Sequence, residues 1–372
     1  MFTNTFSGRI ARVRAEMAAR DVDVLLLSTG PDLPWLIGYE AMGLERLTMF
    51  VLPLEGDPHL VIPRLETARV DERPDVYGVV PWDETDNPIA IVADLAGNAR
   101  RAAVGNHTLS MFTIRLLDQM EGVRFVNGSE VVGPLRAVKT PDEIEALRNA
   151  AHAADRVIGR IQSGELNIVG RTEAEVSAEI GHHLVDEGHH HMNFGIVAAG
   201  ENAASPHHHP GSTVITPGRS VLFDIGGTMY TDDGVGYCSD ITRNVWLGTP
   251  DAEYLDMYAV LLEAQQAQVE AAVVGATCES VDRVGRQILA DANLGQYFMH
   301  RTGHGIGVEA HEDPYLVEGN ETPLIAGHAF SIEPGVYIEG RFGARIEDIV
   351  VAADAGPDVL AQSDHALAVL DV

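Results

Sequence analysis

The chain is 372 residues long, 45% apolar and 22% charged, the balance of an ordinary globular protein with room for two domains. Its apolar runs stay far below the roughly 18 consecutive residues that a membrane-spanning helix needs, so no membrane partner is expected. A formal charge of −30 repels polyanions and argues against nucleic acid, and the two cysteines, Cys238 and Cys278, imply no disulfide framework or thiolate zinc site.

The opening stretch, MFTNTFSGRIARVRAEMAAR, has an amphipathic helical pattern, expected as a helix over residues 6–20. It lacks the apolar segment and small-residue cleavage site of a signal peptide, and a reducing, cytoplasmic location is the expectation. Strands are expected at VDVLLLS (22–28), LTMFVLPL (47–54), PHLVIPRL (58–65) and RAAVGN (101–106), with helices over 87–100 and 110–120. This alternation predicts a smaller α/β domain over residues 1–132. The pattern changes at GPLRAVKTPDEIEALRNAAHAADRVIGRI (133–161). Thr140 can cap a helix, Pro141 suits its first position, and Glu143 lies three residues after the cap. A long Ala-rich helix therefore opens a second domain, 133–372. Further helices are expected over 171–188, capped by Thr172 and ended by Gly188, and over 251–274 and 278–292. The segments FGIVAAG, SVLFDIGG, SDITRNVWLG, TGHGIGVE, AFSIEPGVYI, ARIEDIVVAA and HALAVLDV read as strands, making the second domain α+β.

Half of the 16 histidines cluster between His182 and His209. Most of them are expected as surface and loop residues with one or two near a pocket, His207 excepted. Four carboxylates stand inside apolar, strand-like runs: Asp224 in VLFDIGG, Asp240 in GYCSDITRN, Glu333 in FSIEPGVY and Glu347 in ARIEDIVV. Carboxylates are almost never fully buried without a partner. Arg243 and Arg345 lie nearby in sequence but cannot balance four of them, whereas a pair of metal ions can. His304, in RTGHGIGVEAHEDP, adds a neutral imidazole, and its flanking glycines would let a metal and a substrate backbone come close. The GHGIG run lacks the spacing and the lysine of a phosphate loop. Four carboxylates and one imidazole form a hard donor set that suits Mn2+ and tolerates Co2+, Fe2+ or Zn2+.

In sequence order, FDIGG, GYCSDITR, RTGHGIGVEAHEDP, SIEPGVYI and GARIEDIVV resemble the motifs of the pita-bread metallopeptidases. That family contains Xaa-Pro dipeptidases (prolidases), Xaa-Pro aminopeptidases and methionine aminopeptidases. PHH at 206–208 and LRAVKTPDEIEALRNA belong to the resemblance, which covers nearly the whole chain. The two-domain layout is similar to the prolidase and aminopeptidase P branch. The resemblance implies a creatinase-type N-terminal domain, a catalytic pita-bread domain and two divalent metal ions per subunit. Their ligands would be Asp224, Asp240, His304, Glu333 and Glu347, with Asp240 and Glu347 bridging. It further implies substrate contacts by His207 and His311, a supporting role for Arg345, a pocket role for Tyr337, and a homodimer. The expected substrate is a small peptide with proline in second position, and Glu333 is the expected general base.

Two features depart from the pattern. Asp224 and Asp240 are further apart than is usual in the family, with TDDG between them. Either a longer hairpin loop absorbs the extra residues, or Asp232 or Asp233 replaces one ligand. Tyr315 stands where several prolidases carry an arginine for the substrate carboxylate. Arg46, in GLERLTMF, is then either a surface arginine or reaches the site of a neighbouring subunit to take that role. The competing readings are an Xaa-Pro aminopeptidase for longer peptides, a metal-free relative of the creatinase type, and a non-catalytic pita-bread binding module. The presence of all five ligand residues argues against the last two.

Overall fold

The structure, a computed structural model, describes residues 5–71 and 73–371. It forms two compact units: one comprises the residues up to Arg136 together with Asp232–Val235, the other Ala137–Thr231 and the residues from Gly236 onward. No helix among the described residues is long and apolar enough to cross a membrane.

In the first unit a six-stranded mixed sheet runs Gly78–Trp82, His59–Pro63, Met49–Pro53, Val24–Leu27, Arg101–Val104, Arg124–Asn127. Val24–Leu27 is central and every one of its residues is buried, so it reads as an unbroken aliphatic run. Helices Phe6–Ala19, Pro88–Ala96 and Ser110–Gln119 fall within the expected segments. The second stops four residues early because Gly97, at φ 60°, ends it. Strands Gly78–Trp82 and Arg124–Asn127 are absent from the sequence expectation. Both are edge strands whose residues are mostly half-buried or exposed, so neither has the apolar signature. Leu26, Val51, Val61, Val92, Phe112 and Leu116 form the core of this unit.

The second unit has two main sheets and a hairpin. The first sheet runs Ala368–Leu370, Ile241–Leu247, Ser220–Tyr230, His191–Ala199, with Gly236–Cys238 paired to Ser220–Tyr230. The second runs Glu312–Leu316, Gly303–Gly305, Ala329–Ile332, Asp348–Val351, Asp358–Val359, and Gly335–Ile338 pairs with Phe342–Arg345. Helices Pro141–Gln162 and Glu173–Asp186 bury Val157, Ile158, Ile180 and Leu184 against Val197, Val221, Phe223 and Val245. Helices Ala252–Ala271 and Cys278–Asp291 supply Leu261 against Val336 and Ala344, and Val281 against Phe330 and Val350. Each such side chain contributes roughly 1.5–3 kcal/mol over its exposed state, several times more than helix propensity per residue. The caps match the sequence: Glu143 accepts from Thr140 N at 2.9 Å and Glu175 from Thr172 N at 2.8 Å, and each threonine caps in return.

Three expectations are corrected here. First, of the four carboxylates only Asp224 lies within a strand. Asp240 precedes Ile241–Leu247, Glu333 follows Ala329–Ile332, and Glu347 sits between Phe342–Arg345 and Asp348–Val351, bridging to Thr242. Side chains alternate along an unbroken strand, and a break in the ladder re-aims one of them. Second, the glycines around His304 admit protein, not ligand. A Cβ on Gly303 would fall 1.8 Å from Ser331 O, and one on Gly305 2.1 Å from Asp313 O. Backbone of the adjacent strands occupies the space on both sides. Third, His189 is not a surface histidine. It is buried, with ring nitrogens 3.2 Å from Leu184 O and 2.8 Å from Ser239 Oγ, and burial lowers its pKa to about 4.

Candidate metal centre

His304 projects from a strand whose register shifts at Gly305. Its Nδ1 lies 3.2 Å from Gly305 O. With the proton on Nδ1, the Nε2 lone pair faces Glu333 Oε1 at 3.1 Å and Asp240 Oδ2 at 3.8 Å. One ligand atom each from Asp240, His304 and Glu347 lies within 4.8 Å of the others, and all three residues are buried. Glu347 Oε2 accepts from Thr242 Oγ1 at 2.6 Å, and Glu333 Oε1 accepts from Ser331 Oγ at 3.0 Å. Asp224 Oδ2 accepts from Arg345 Nη2, whereas its Oδ1 is buried with no hydrogen-bond partner.

The electrostatics follow from this crowding. Burial, then repulsion from Glu347, Asp224 and Glu333, drives Asp240 well above the ordinary carboxylate range. Glu347 is driven up by burial and by Glu333 and Asp224. Asp224 is raised by burial, which Arg345 opposes. Glu333 goes the other way: burial acts to raise it, but without a metal a protonated His304 would outweigh that by its hydrogen bond and charge and lower it. Asp348, next to Glu347 in sequence, is a useful contrast. It is buried too, but accepts from Arg243 Nη2 at 2.7 Å and Gln265 Nε2 at 2.7 Å, and His365 Nε2 is 2.5 Å away. Its needs are met by protein, whereas Asp224 Oδ1 has no partner and the charges of Asp240 and Glu347 face other carboxylates. An orphaned buried oxygen and converging lone pairs fit bound divalent cations, which would reverse the sign of each repulsion.

Arg345 ties the surroundings together. Its Nε donates to Thr242 Oγ1 at 3.1 Å, and its Nη1 donates to Tyr337 OH at 2.8 Å and to Pro206 O at 3.3 Å. Tyr337 is buried, and His300 Nε2 lies 2.8 Å from its hydroxyl. The His311 ring meets that of His304 edge-on, with centroids 4.0 Å apart. Although His311 reaches solvent, the protein around it lowers its pKa to about 4, chiefly by desolvation and then through His304. His207 is exposed, close enough to His300 and His311 for its charge to act on both.

Thus Asp224, Asp240, His304, Glu333, Glu347, Arg345, Tyr337 and His311 share one neighbourhood. Asp232 and Asp233 are exposed turn residues, while Asp224 and Asp240 are buried. Arg46 lies in the first unit, ion-paired with Glu45 and, at 2.7 Å, with Glu84. The sequence reading missed Thr242 and His300. Thr242 had a signal, since it follows Asp240 by two residues and so shares its face of an extended segment. His300 had none.

It also missed Glu173. This buried first-turn residue accepts from Ala199 N at 2.8 Å, Asn202 Nδ2 at 2.9 Å and Gly211 N at 3.3 Å, and lies 2.8 Å from His208 Nε2. It therefore fastens both ends of the segment that carries His207. Burial acts to raise its pKa, but the hydrogen bonds from Asn202, Ala199, His208 and Gly211 prevail and the net shift is downward from 4.5. A depressed folded-state pKa gives stability that is present above the unfolded value and lost as pH falls through the folded one. Wild type should therefore lose more unfolding free energy than Glu173→Gln between about pH 6 and about pH 3.5, as read by urea titration. Equal losses would count against this role.

Residues 145–354 match the profile of the metallopeptidase family M24, and residues 9–138 that of the creatinase/prolidase N-terminal domain. The chain belongs to metallopeptidase family M24. The probable dipeptidase PepE of Mycobacterium tuberculosis is 42% identical over 371 residues, 99% of this chain and 97% of that one. The Xaa-Pro dipeptidase of Lactobacillus helveticus is 35% identical, covering 94% of this chain and 95% of its own. The crystal structure of dipeptidase PepE from Mycobacterium ulcerans superposes with a TM-score of 0.92 at 42% identity, covering 99% and 98% of the two chains. This M24 peptidase thus pairs a creatinase-type N-terminal domain with a pita-bread domain.

Proposed function

We propose that this M24 peptidase is an Xaa-Pro dipeptidase, a cytoplasmic homodimer that works with two divalent cations, manganese foremost. The observation that carries the reading is the convergence of buried Asp240, His304 and Glu347 within 4.8 Å beside the half-satisfied Asp224. It is supported by likeness over nearly the full length to proteins named as dipeptidases. The five residues Asp224, Asp240, His304, Glu333 and Glu347 are the ligands in this reading, and their oxygen-rich set suits manganese. When bound, the cations supply Lewis acidity at the scissile carbonyl and lower the pKa of the attacking water.

The chain's own groups do the rest. Glu333, held by Ser331, accepts the water's proton and returns it to the leaving proline nitrogen. His311 is neutral at pH 7 and can donate an N–H to the developing oxyanion, with His207 alongside. Arg345 keeps Asp224, Thr242 and the Tyr337 hydroxyl in register behind the ligands. Proline has no N–H and a fixed φ, so a substrate with proline in second position is held by a shaped pocket instead of by strand pairing.

One observation favours a second reading, an Xaa-Pro aminopeptidase: Tyr315 occupies the place of a carboxylate-binding arginine. Hydrolysis of Ala-Pro and Ala-Pro-Ala by metal-stripped protein resupplied with Mn2+ separates the two. Cleavage of the dipeptide alone is expected. Cleavage of the tripeptide alone would make it an aminopeptidase, and failure on both with no metal retained would leave a binding module.

A further inference from the structure

A dipeptidase has to recognise a free carboxylate just beyond proline, and Tyr315 cannot do so by charge. Tyr315 pairs directly with His304 across strands Glu312–Leu316 and Gly303–Gly305. Directly paired residues project from the same face of a sheet, so Tyr315 stands on the face that carries the ligand imidazole. Against its ring, 4.4 Å from the centroid, lies the guanidinium carbon of Arg301. Arg301 is half-buried and, among the described residues, makes no ion pair. In a chain with a net charge of −30, a partly buried arginine without a carboxylate is unusual. Of the acids whose charge also acts on Tyr315, Glu312 is buried and pairs with Lys139, and Asp313 is exposed; neither they nor Glu309 form an ion pair with Arg301. Arg301 is also close enough to His311 for its charge to act there, and His311 touches His304.

We propose that Arg301, stacked on Tyr315, binds the C-terminal carboxylate of the dipeptide and is the specificity-determining cation of this site. The cation has moved from the strand after the histidine motif to the segment before it, and the aromatic ring brings it back to the same face. Stacking on a ring fixes the guanidinium plane and leaves its in-plane N–H fork free, the geometry a carboxylate accepts in bidentate fashion. Arg46 suits the role less well, because Glu45 and Glu84 already balance its charge. The inference rests on the dipeptidase reading.

The test compares KM for Ala-Pro and for Ala-Pro-amide in Mn2+-loaded protein. Wild type should favour the acid. Arg301→Met should raise KM for Ala-Pro by about tenfold to a hundredfold, the range for a hydrogen bond to a charged group, and so abolish the preference. Tyr315→Leu, which keeps the charge but frees it from the stack, should reduce the same preference and serves if Arg301→Met does not fold. A preference that persists in both variants, or KM values that rise equally for acid and amide, would overturn the role of Arg301 and leave the dipeptidase reading standing. Wild type that cleaves only the tripeptide would overturn both.

Discussion

Asp240→Ala is expected to abolish turnover and metal retention together. Asp240 is 5% exposed and shares its 4.8 Å neighbourhood with His304 and Glu347, so no other side chain can replace its oxygen there. The fall in kcat/KM should be at least about a thousandfold, the rate equivalent of roughly 4 kcal/mol. Elemental analysis of the purified variant should find the metal gone. The neutral isostere Asp240→Asn tests the electrostatics separately. In the metal-free protein Asp240 is forced up in pKa by burial and by its neighbours. A raised folded-state pKa for an acid means that its ionised form destabilises the fold at higher pH. Metal-free Asp240→Asn should therefore melt above metal-free wild type at about pH 8, while Mn2+ should raise Tm in wild type by linkage and not in the variant. An Asp240→Ala protein that keeps its metal and its turnover would end the ligand assignment.

Arg345→Met should do two kinds of damage. Arg345 is 2% exposed, and its guanidinium serves Thr242, Tyr337, Pro206 and Asp224 with three nitrogens. Removing one partner of a buried ion pair costs about 3–5 kcal/mol, because the remaining charge has lost its counter-ion. Unfolding by urea in the presence of a chelator should show a loss of that order. Turnover should fall by about a hundredfold, since residues behind metal ligands orient them and their loss has effects of that size. Arg345→Lys should rescue neither, because one ammonium cannot reach partners in three directions. A methionine variant with the wild-type denaturation midpoint would show that Asp224 does not depend on this pair.

The role given to Arg301 shows where a linear reading stops. The sequence reading noticed that Tyr315 is not an arginine and looked for a replacement cation far away, at Arg46. The nearer one was inside the quoted motif RTGHGIGVEAHEDP. Tyr315 lies fourteen positions after Arg301, and only the pairing of two short strands sets the guanidinium over the ring. Strand Glu312–Leu316 had no alternating apolar pattern to announce it, because Glu312 is buried through an ion pair with Lys139 and Pro314 is buried beside it. The glycines around His304 were read as space for a ligand, and neighbouring backbone fills that space.

Composition, caps and buried-acid signals were legible because they are local. Thr140 with Glu143 and Thr172 with Glu175 mark helix starts within four residues, and a carboxylate inside an apolar run is anomalous wherever its partners lie. The sequence by itself therefore determined that this chain builds an α/β and an α+β unit and carries acids in apolar surroundings that fit a metal site. What only the tertiary structure decided is which atoms meet. Thr242 reaches Glu347 across 105 positions, and Arg345 reaches Asp224 across 121. Such contacts depend on strand register, on the breaks that turn Asp240, Glu333 and Glu347 toward His304, and on which edges remain exposed. Register is set by the packing of whole sheets, so no short stretch of sequence contains it.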